Sequence, residues 1–425
     1  MSIKPSIAMV ASAYKADKIY SALPENGDGD FDFIRTSGDA SRIDDAGLIE
    51  QLGQGVPRLN YTLSNGAVSG CPHILIEGPA TNLLEASEYF GSSSWTKSSG
   101  IFIDQTKYTS PDGTLNADKL TPSTGGNFVS VHQNITVPDE VIYTQTYFVK
   151  SQGIRYVQII SYGSVFSSFY VNFDLQNGVV SATGGSGSAL EYSIDEYPNG
   201  FYRIRVTSES IIASSAANFA LNFIKTATTT RGIDEGDFNG TDSILLWGAM
   251  LEQDEYATSY IETGQGTTTR SLEVMSKTGL GNYINGSEGV IYADIAFNRI
   301  KSAVTFNGFS LQESAGNSND LISFYQPPNN NYIKVYIRQD ASTVINLLYS
   351  IQSTSFNKIA LWYKSGDTKL FINGVLTATI TATFNPFSLT QIKPIFNGQA
   401  DYRLKDFRVY DSNLITDSFL TELTT

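Results

Sequence analysis

Apolar and polar positions alternate along most of this chain, with the period of strands. In KIALWYKSGDTKLFINGV, residues 358–375, Ile359, Leu361 and Tyr363 fall on one face and Ala360 and Trp362 on the other, because successive strand side chains point to opposite sides. Ser365, Gly366, Asp367 and Thr368 supply turn formers, and Leu370 and Ile372 resume the alternation. Asn373-Gly374 suits a two-residue turn at positive φ, so a third strand from Val375 to about Ala382 is expected to fold back antiparallel and complete a β-meander. VIYTQTYFVK reads the same way, with Ile142, Thr144, Thr146 and Phe148 opposite Val141, Tyr143, Gln145, Tyr147 and Val149. Little helix is expected. At the C-terminus Thr416 is placed to cap a short helix with Asp417 at its positive end, docked by Leu420 and Leu423.

The strands group into three sections. Residues 1–79 are cut by GDGDFDF, SGDAS, DDAG, GQG and SNGAVSG into pieces of four to six residues, too short for a thick sandwich alone and in need of partners. Residues 80–263 hold longer runs, among them FVSVHQNITV, SSFYVNFDL, GFYRIRVTS and ANFALNFIK, at the regular spacing of a sandwich or jelly roll. Residues 264–425 repeat that style with GVIYADIAFN, LISFYQ, YIKVYIRQ and the meander. The expected fold class is therefore all-β: an N-terminal attachment segment followed by two β-sandwich domains. A chain of 425 residues is long enough for each sandwich to bury its own core.

Composition narrows the function. Tyr and Phe number 24 each and Gly 36, while Lys and Arg total 28, as suits strands joined by tight turns. The net charge of −14, with no run of basic residues, argues against a nucleic-acid partner. The start has no apolar stretch of signal-peptide length, and nowhere do about 18 apolar residues run together, so neither secretion by a leader nor a membrane partner is expected. Cys71 cannot form an intrachain disulfide. It lies two residues from His73, on the same face of an extended chain, but no third group suggests a catalytic pair, and a buried apolar role is the simpler expectation. Asp28, Asp30 and Asp32 open like a calcium loop, yet Phe33 and Asp39 stand where Gly and Glu are required; a strand with carboxylates on its solvent face is the expected form. No cofactor or metal is expected.

Longer motifs carry resemblances. KIALWYKSGDTKLFINGV and LKDFRVYDSNLITDSFLTEL resemble the strand pair and the closing strand and helix of the concanavalin A-like, or laminin G-like, lectin/glucanase superfamily. ATNLLEASEYFGSSSWTKS, SPDGTLNADKLTPS, PNGFYRIRVT and WGAMLEQDEYATSYIET, in this order, resemble carbohydrate-binding-module-like jelly rolls of bacteriophage structural proteins. The first section is similar to the leader that precedes such jelly rolls in tail, fibre and appendage proteins. The resemblance implies a virion protein, assembled in the host cytoplasm, that joins other virion proteins through its N-terminal segment and forms a homotrimer.

Glucanases of the resembled superfamily need two carboxylates close together, usually alternating on one strand. YADIAFN offers Asp294 alone; Asp139 and Glu140 are neighbours that would face oppositely; Asp195 and Glu196 read as a loop; Asp234, Glu235 and Asp237 read as a solvated turn. The chain is accordingly expected not to be an enzyme. Glycan binding fits better, since aromatic faces and amide side chains at loop tips hold sugars. The richest such cluster is Tyr325, Gln326, Asn329, Asn330, Asn331 and Tyr332 in SFYQPPNNNYIK, although a polar hairpin loop explains it too. Trp95, Trp247 and Trp362 are expected in cores. The expected role is a fibre, appendage or decoration subunit whose ligand is host-surface or mucosal glycan. The alternative is a free glycan-binding or glycan-hydrolysing protein.

Overall fold

The computed structural model describes residues 3–425 except 99, 126–128, 139–140, 163–168, 186–188, 211–214, 232–237, 300–306, 314–318, 329, 352–353, 395–400 and 412–413. Its regular structure is nearly all strand, and the only α-helix among the described residues is Asp417–Thr424. No helix among them is long and apolar enough to cross a membrane. The chain is an all-β sandwich protein, as the alternation predicts.

The middle section forms two six-stranded antiparallel sheets. One contains, in spatial order, Thr96–Lys97, Ser130–Val137, Ser215–Ile224, Tyr156–Tyr162, Phe169–Asp174 and Val179–Gly185; the other contains Ile101–Thr109, Leu115–Pro122, Ser243–Glu252, Ile142–Gln152, Phe201–Glu209 and Glu191–Tyr197. Tyr143, Tyr147 and Val149 point inward and meet Val157, Phe173 and Phe219 in the shared core. Each such side chain taken from water contributes about 1.5–3 kcal/mol. Trp95 and Trp247 are both buried, as expected.

The C-terminal sandwich pairs a five-stranded sheet with an eight-stranded one. In the larger sheet the meander occupies one edge: Asn357–Lys364, Thr368–Ile372 and Val375–Ile380 lie in sequence, with Asn373 and Gly374 at φ 49° and 80° making the two-residue turn. Ile359, Leu361 and Tyr363 enter the core between the sheets, while Ala360 and the half-buried Trp362 face outward under the C-terminal helix. That helix has Thr416 as its N-cap, accepting from the Phe419 N–H at 3.2 Å, and Leu420 is buried beneath it.

The short strands of the first section find their partners inside the same chain. Ile7–Val10 pairs antiparallel with Tyr402–Tyr410, matching Ile7 to Val409. Ala67–Ile76 extends the same sheet through Ile76 against Tyr402, and Phe31–Ile34 pairs with Val274–Ser276. Ile7, Met9, Phe31, Phe33, Ile74 and Ile76 therefore lie in the C-terminal core. The hairpin of Ala40–Ile43 and Ile49–Leu52 covers the other sandwich instead, placing Ile49 against Phe148, Trp247 and Tyr260 on that sandwich's outer face. Between these contacts the chain leaves for the middle sandwich at Ala80–Asn82 and returns at Thr268–Arg270, and those two strands pair with each other. The first and last sections thus build one unit, with the middle sandwich inserted into it.

Candidate functional site

The loop singled out for glycan contact divides when placed on the fold. Tyr325 and Gln326 close the strand Leu321–Gln326, which is buried along its whole length, and are 3% and 1% exposed. Lys334 stands 5.5 Å from the centre of the Tyr325 ring. Asn330 folds back to donate to the Pro328 carbonyl at 2.9 Å and is half-buried, as is Tyr332. Asn331 is exposed, and Asn329 lies outside the described residues.

Several acidic residues weighed for chemistry also find definite places. Asp195 and Glu196 are on the strand Glu191–Tyr197 and not in a loop, a correction that follows from their pairing with Arg203 and Tyr202 on the neighbouring strand. Asp139, Glu140, Asp234, Glu235 and Asp237 lie outside the described residues. Asp28 and Asp30 are in a turn and only Asp32 is on a strand, so the expected strand of alternating carboxylates is corrected. Asp28 accepts from the Tyr283 hydroxyl at 2.6 Å, Asp30 from the Ser21 N–H at 2.8 Å, and Asp32 from Lys18 at 3.1 Å. Three partners in three directions suit turn bracing rather than a shared ion. Cys71 is exposed, contrary to the apolar role expected of it, whereas His73 is fully buried and its Nε2 is 3.0 Å from Asn60 Nδ2. Burial, with Arg403 and Lys405 nearby, lowers the imidazole to about 3 and keeps it neutral.

The densest charged site is one the sequence reading missed. It sits where the three sections meet. Glu273 is completely buried and accepts from Arg35 Nη1 at 2.9 Å, Arg58 Nε at 2.9 Å, Arg58 Nη2 and the Glu77 N–H at 2.9 Å. Arg58 Nη1 also donates to Glu77 Oε2 at 2.6 Å, and Arg270 lies 3.1 Å from that oxygen. Ser259 closes the circuit, its N–H and hydroxyl donating to Glu77 at 3.1 and 2.7 Å. Arg35 spends its remaining donors on the carbonyls of Ser37, Gly53 and Val56. Residues from 35–77, 258–259 and 270–273 are thereby held in one network.

Burial opposes ionisation of Glu77, but the guanidinium groups of Arg270 and Arg58 outweigh it and hold the carboxyl far below the usual range. A second tie lies beside the first: Arg299 binds Asp401 through Nε at 2.5 Å and Asp254 through Nη1 at 2.9 Å, linking the last section to the middle one. Glu252, buried with Thr258 donating to it, goes the other way, as burial raises it to about 7. Glu88 behaves likewise. Burial and the neighbouring Glu262 push it to about 8, although the Tyr260 hydroxyl donates to it at 3.0 Å. The chemistry of the network is cohesion: every carboxylate oxygen at its centre is occupied by an arginine, a hydroxyl or a backbone N–H. One signal in the sequence marks it, namely single charges embedded in apolar or small-residue runs, such as Glu77 directly after Ile74, Leu75 and Ile76.

No protein-family model matches the chain, and no curated protein matches it. A solved structure, the tail fiber protein gp63.1 from an E. coli phage, is similar over 79% of this chain, at 8% sequence identity and a TM-score of 0.20. The chain spans 41% of that protein's length.

Proposed function

We propose that this chain is a structural component of a bacteriophage particle, a fibre, appendage or decoration subunit that holds two sandwiches outward as one stiff body and carries no reaction of its own. The observation that carries the reading is the way the first section is used. Its strands complete the C-terminal sheet, its hairpin covers the middle sandwich, and its arginines are locked to Glu77 and Glu273 at the junction. Such a junction resists bending, because moving any section would strand buried charges. A displayed, load-bearing module needs that property, whereas a free enzyme commonly keeps an open cleft between its domains.

The middle section further supports the reading. Strands 115–122, 243–252, 142–152 and 201–209 share one sheet, and 130–137, 215–224, 156–162 and 169–174 share the other. This interleaving supports the jelly-roll reading and the resemblance to phage carbohydrate-binding-module-like domains. Assembly as a homotrimer, attachment to other virion proteins and contact with host glycan belong to the same proposal. Density-gradient purification of particles tests it. The chain should travel with intact virions at a fixed copy number; a soluble monomer that releases reducing sugar from a glycan would favour the free effector instead.

A further inference from the structure

A groove of about 930 Å³ lies on the outward face of the eight-stranded sheet between the C-terminal helix and residues 3–5. Its floor is set by strand register. Lys358, Asp294 and Asp406 sit directly opposite one another on three adjacent strands, and Tyr292 is opposite Arg408 two residues along. Neighbours on one face of a sheet stand about 5 Å apart, so these side chains form a continuous polar platform. Arg408 grips Asp406 with both arms, Nε to Oδ1 at 3.0 Å and Nη2 to Oδ2 at 2.5 Å. Asp294 makes no hydrogen bond or ion pair among the described residues, although it is half-buried; burial, the largest influence, raises its carboxyl. One wall is apolar and aromatic. Phe419 is half-exposed there, its ring fixed edge-on against Tyr410 with centroids 5.3 Å apart, and Ile3 and Pro5 form the opposite wall.

We infer that this groove is a binding site for a neutral saccharide, and that it, rather than the 325–332 loop, is the glycan contact of the protein. The inference rests on the particle reading above and gives it a location and a ligand class. Three properties select the ligand. The lining charges balance, with Lys4, Lys358 and Arg408 against Asp294, Asp406 and Glu422, so neither an anion nor a cation is favoured. Asp294 offers acceptor oxygens with no donor among the described residues, which hydroxyl groups would fill. Phe419 offers a flat apolar face beside that polar floor, matching a ring that is polar at its edge and apolar on its face.

The test is a glycan array followed by titration of the best oligosaccharide with the full chain and three variants: Asp294→Asn, Phe419→Ala and, as the control in the 325–332 loop, Asn331→Ala. Asp294→Asn keeps the side-chain shape and its thermal unfolding should match the parent. The site predicts that a neutral oligosaccharide binds the parent, that Asp294→Asn and Phe419→Ala each weaken it at least about tenfold, and that Asn331→Ala binds as the parent does. Equal binding by Asp294→Asn, a loss confined to Asn331→Ala, or a preference for charged glycans overturns the site while leaving the particle reading intact. If the parent binds no glycan at all, the inference also fails, and copurification with virions judges the particle reading separately.

Discussion

Replacing Glu273 by alanine removes the centre of the junction, and the structure states what is left behind. Of the four donors that Glu273 accepts, Arg35 Nη1 keeps a second partner in the Val56 carbonyl at 3.0 Å. Arg58 Nε, Arg58 Nη2 and the Glu77 N–H lose the acceptor they have. All three are buried, and each donor stranded in this way costs about 1–3 kcal/mol. Arg58 retains Glu77, so its charge is not wholly uncompensated, which places the total near the usual cost of breaking a buried pair, about 3–5 kcal/mol. Because the lost contacts join sections, the cost falls on their coupling. Urea unfolding followed by tryptophan fluorescence in a Trp362→Phe background, reporting on Trp95 and Trp247 in the middle sandwich, is compared with hydrogen exchange at Tyr402–Tyr410 in the C-terminal sheet. In the parent the two probes should move together; in Glu273→Ala they should separate, with exchange in the C-terminal sheet accelerating first. A change below about 1 kcal/mol with both probes still coincident would refute the reasoning, since it would mean the network is solvated and dispensable.

Other outcomes follow from the same geometry. Glu252 and Glu88 are raised to about 7 and about 8 from an unfolded value of 4.5, so between these limits the folded chain holds protons that the unfolded chain releases, and the stability they contribute is complete below pH 4.5 and lost as pH rises toward 8. Glu88→Gln should therefore show a flatter fall in melting temperature from pH 5 to 8 than the parent; an unchanged slope counts against the assignment. Glu77 acts in reverse: held low, its contribution is present above pH 4.5 and lost on acidification. Gly374→Ala forces a Cβ into the left-handed region, 3.0 Å from Thr425 Oγ1, and should cost about 1–2 kcal/mol in denaturant titration. Leu420→Ala should cost about 2–5 kcal/mol at its own site and release the C-terminal helix, seen as fast exchange over 417–424 while the sandwich cores stay protected.

Local order was legible in the sequence because its causes are local. The meander, the Asn373-Gly374 turn and the Thr416 cap each depend on residues within a few positions of one another. The destination of the first section was not, since Ile7 meets Val409 and Arg58 meets Glu273 across hundreds of residues, and no periodicity encodes such a register. VIYTQTYFVK reads as a strand with two faces, but its outward Phe148 is buried too, because the hairpin at 40–52 covers it. The glycan loop divides between strand and turn for a related reason. Its composition identified a turn correctly, yet Tyr325 and Gln326 are on a strand buried on both sides. Asp294 reads as isolated in the sequence because its neighbours Lys358 and Asp406 arrive from strands far along the chain.

The central claim is that this stiff, leader-braced protein rides on a virus particle. Electron microscopy of purified virions labelled with gold-conjugated antibody against the C-terminal section measures that claim most directly. Gold at one repeated position on intact particles is the predicted result. Unlabelled particles, with all of the antigen left in the particle-free supernatant, would contradict it.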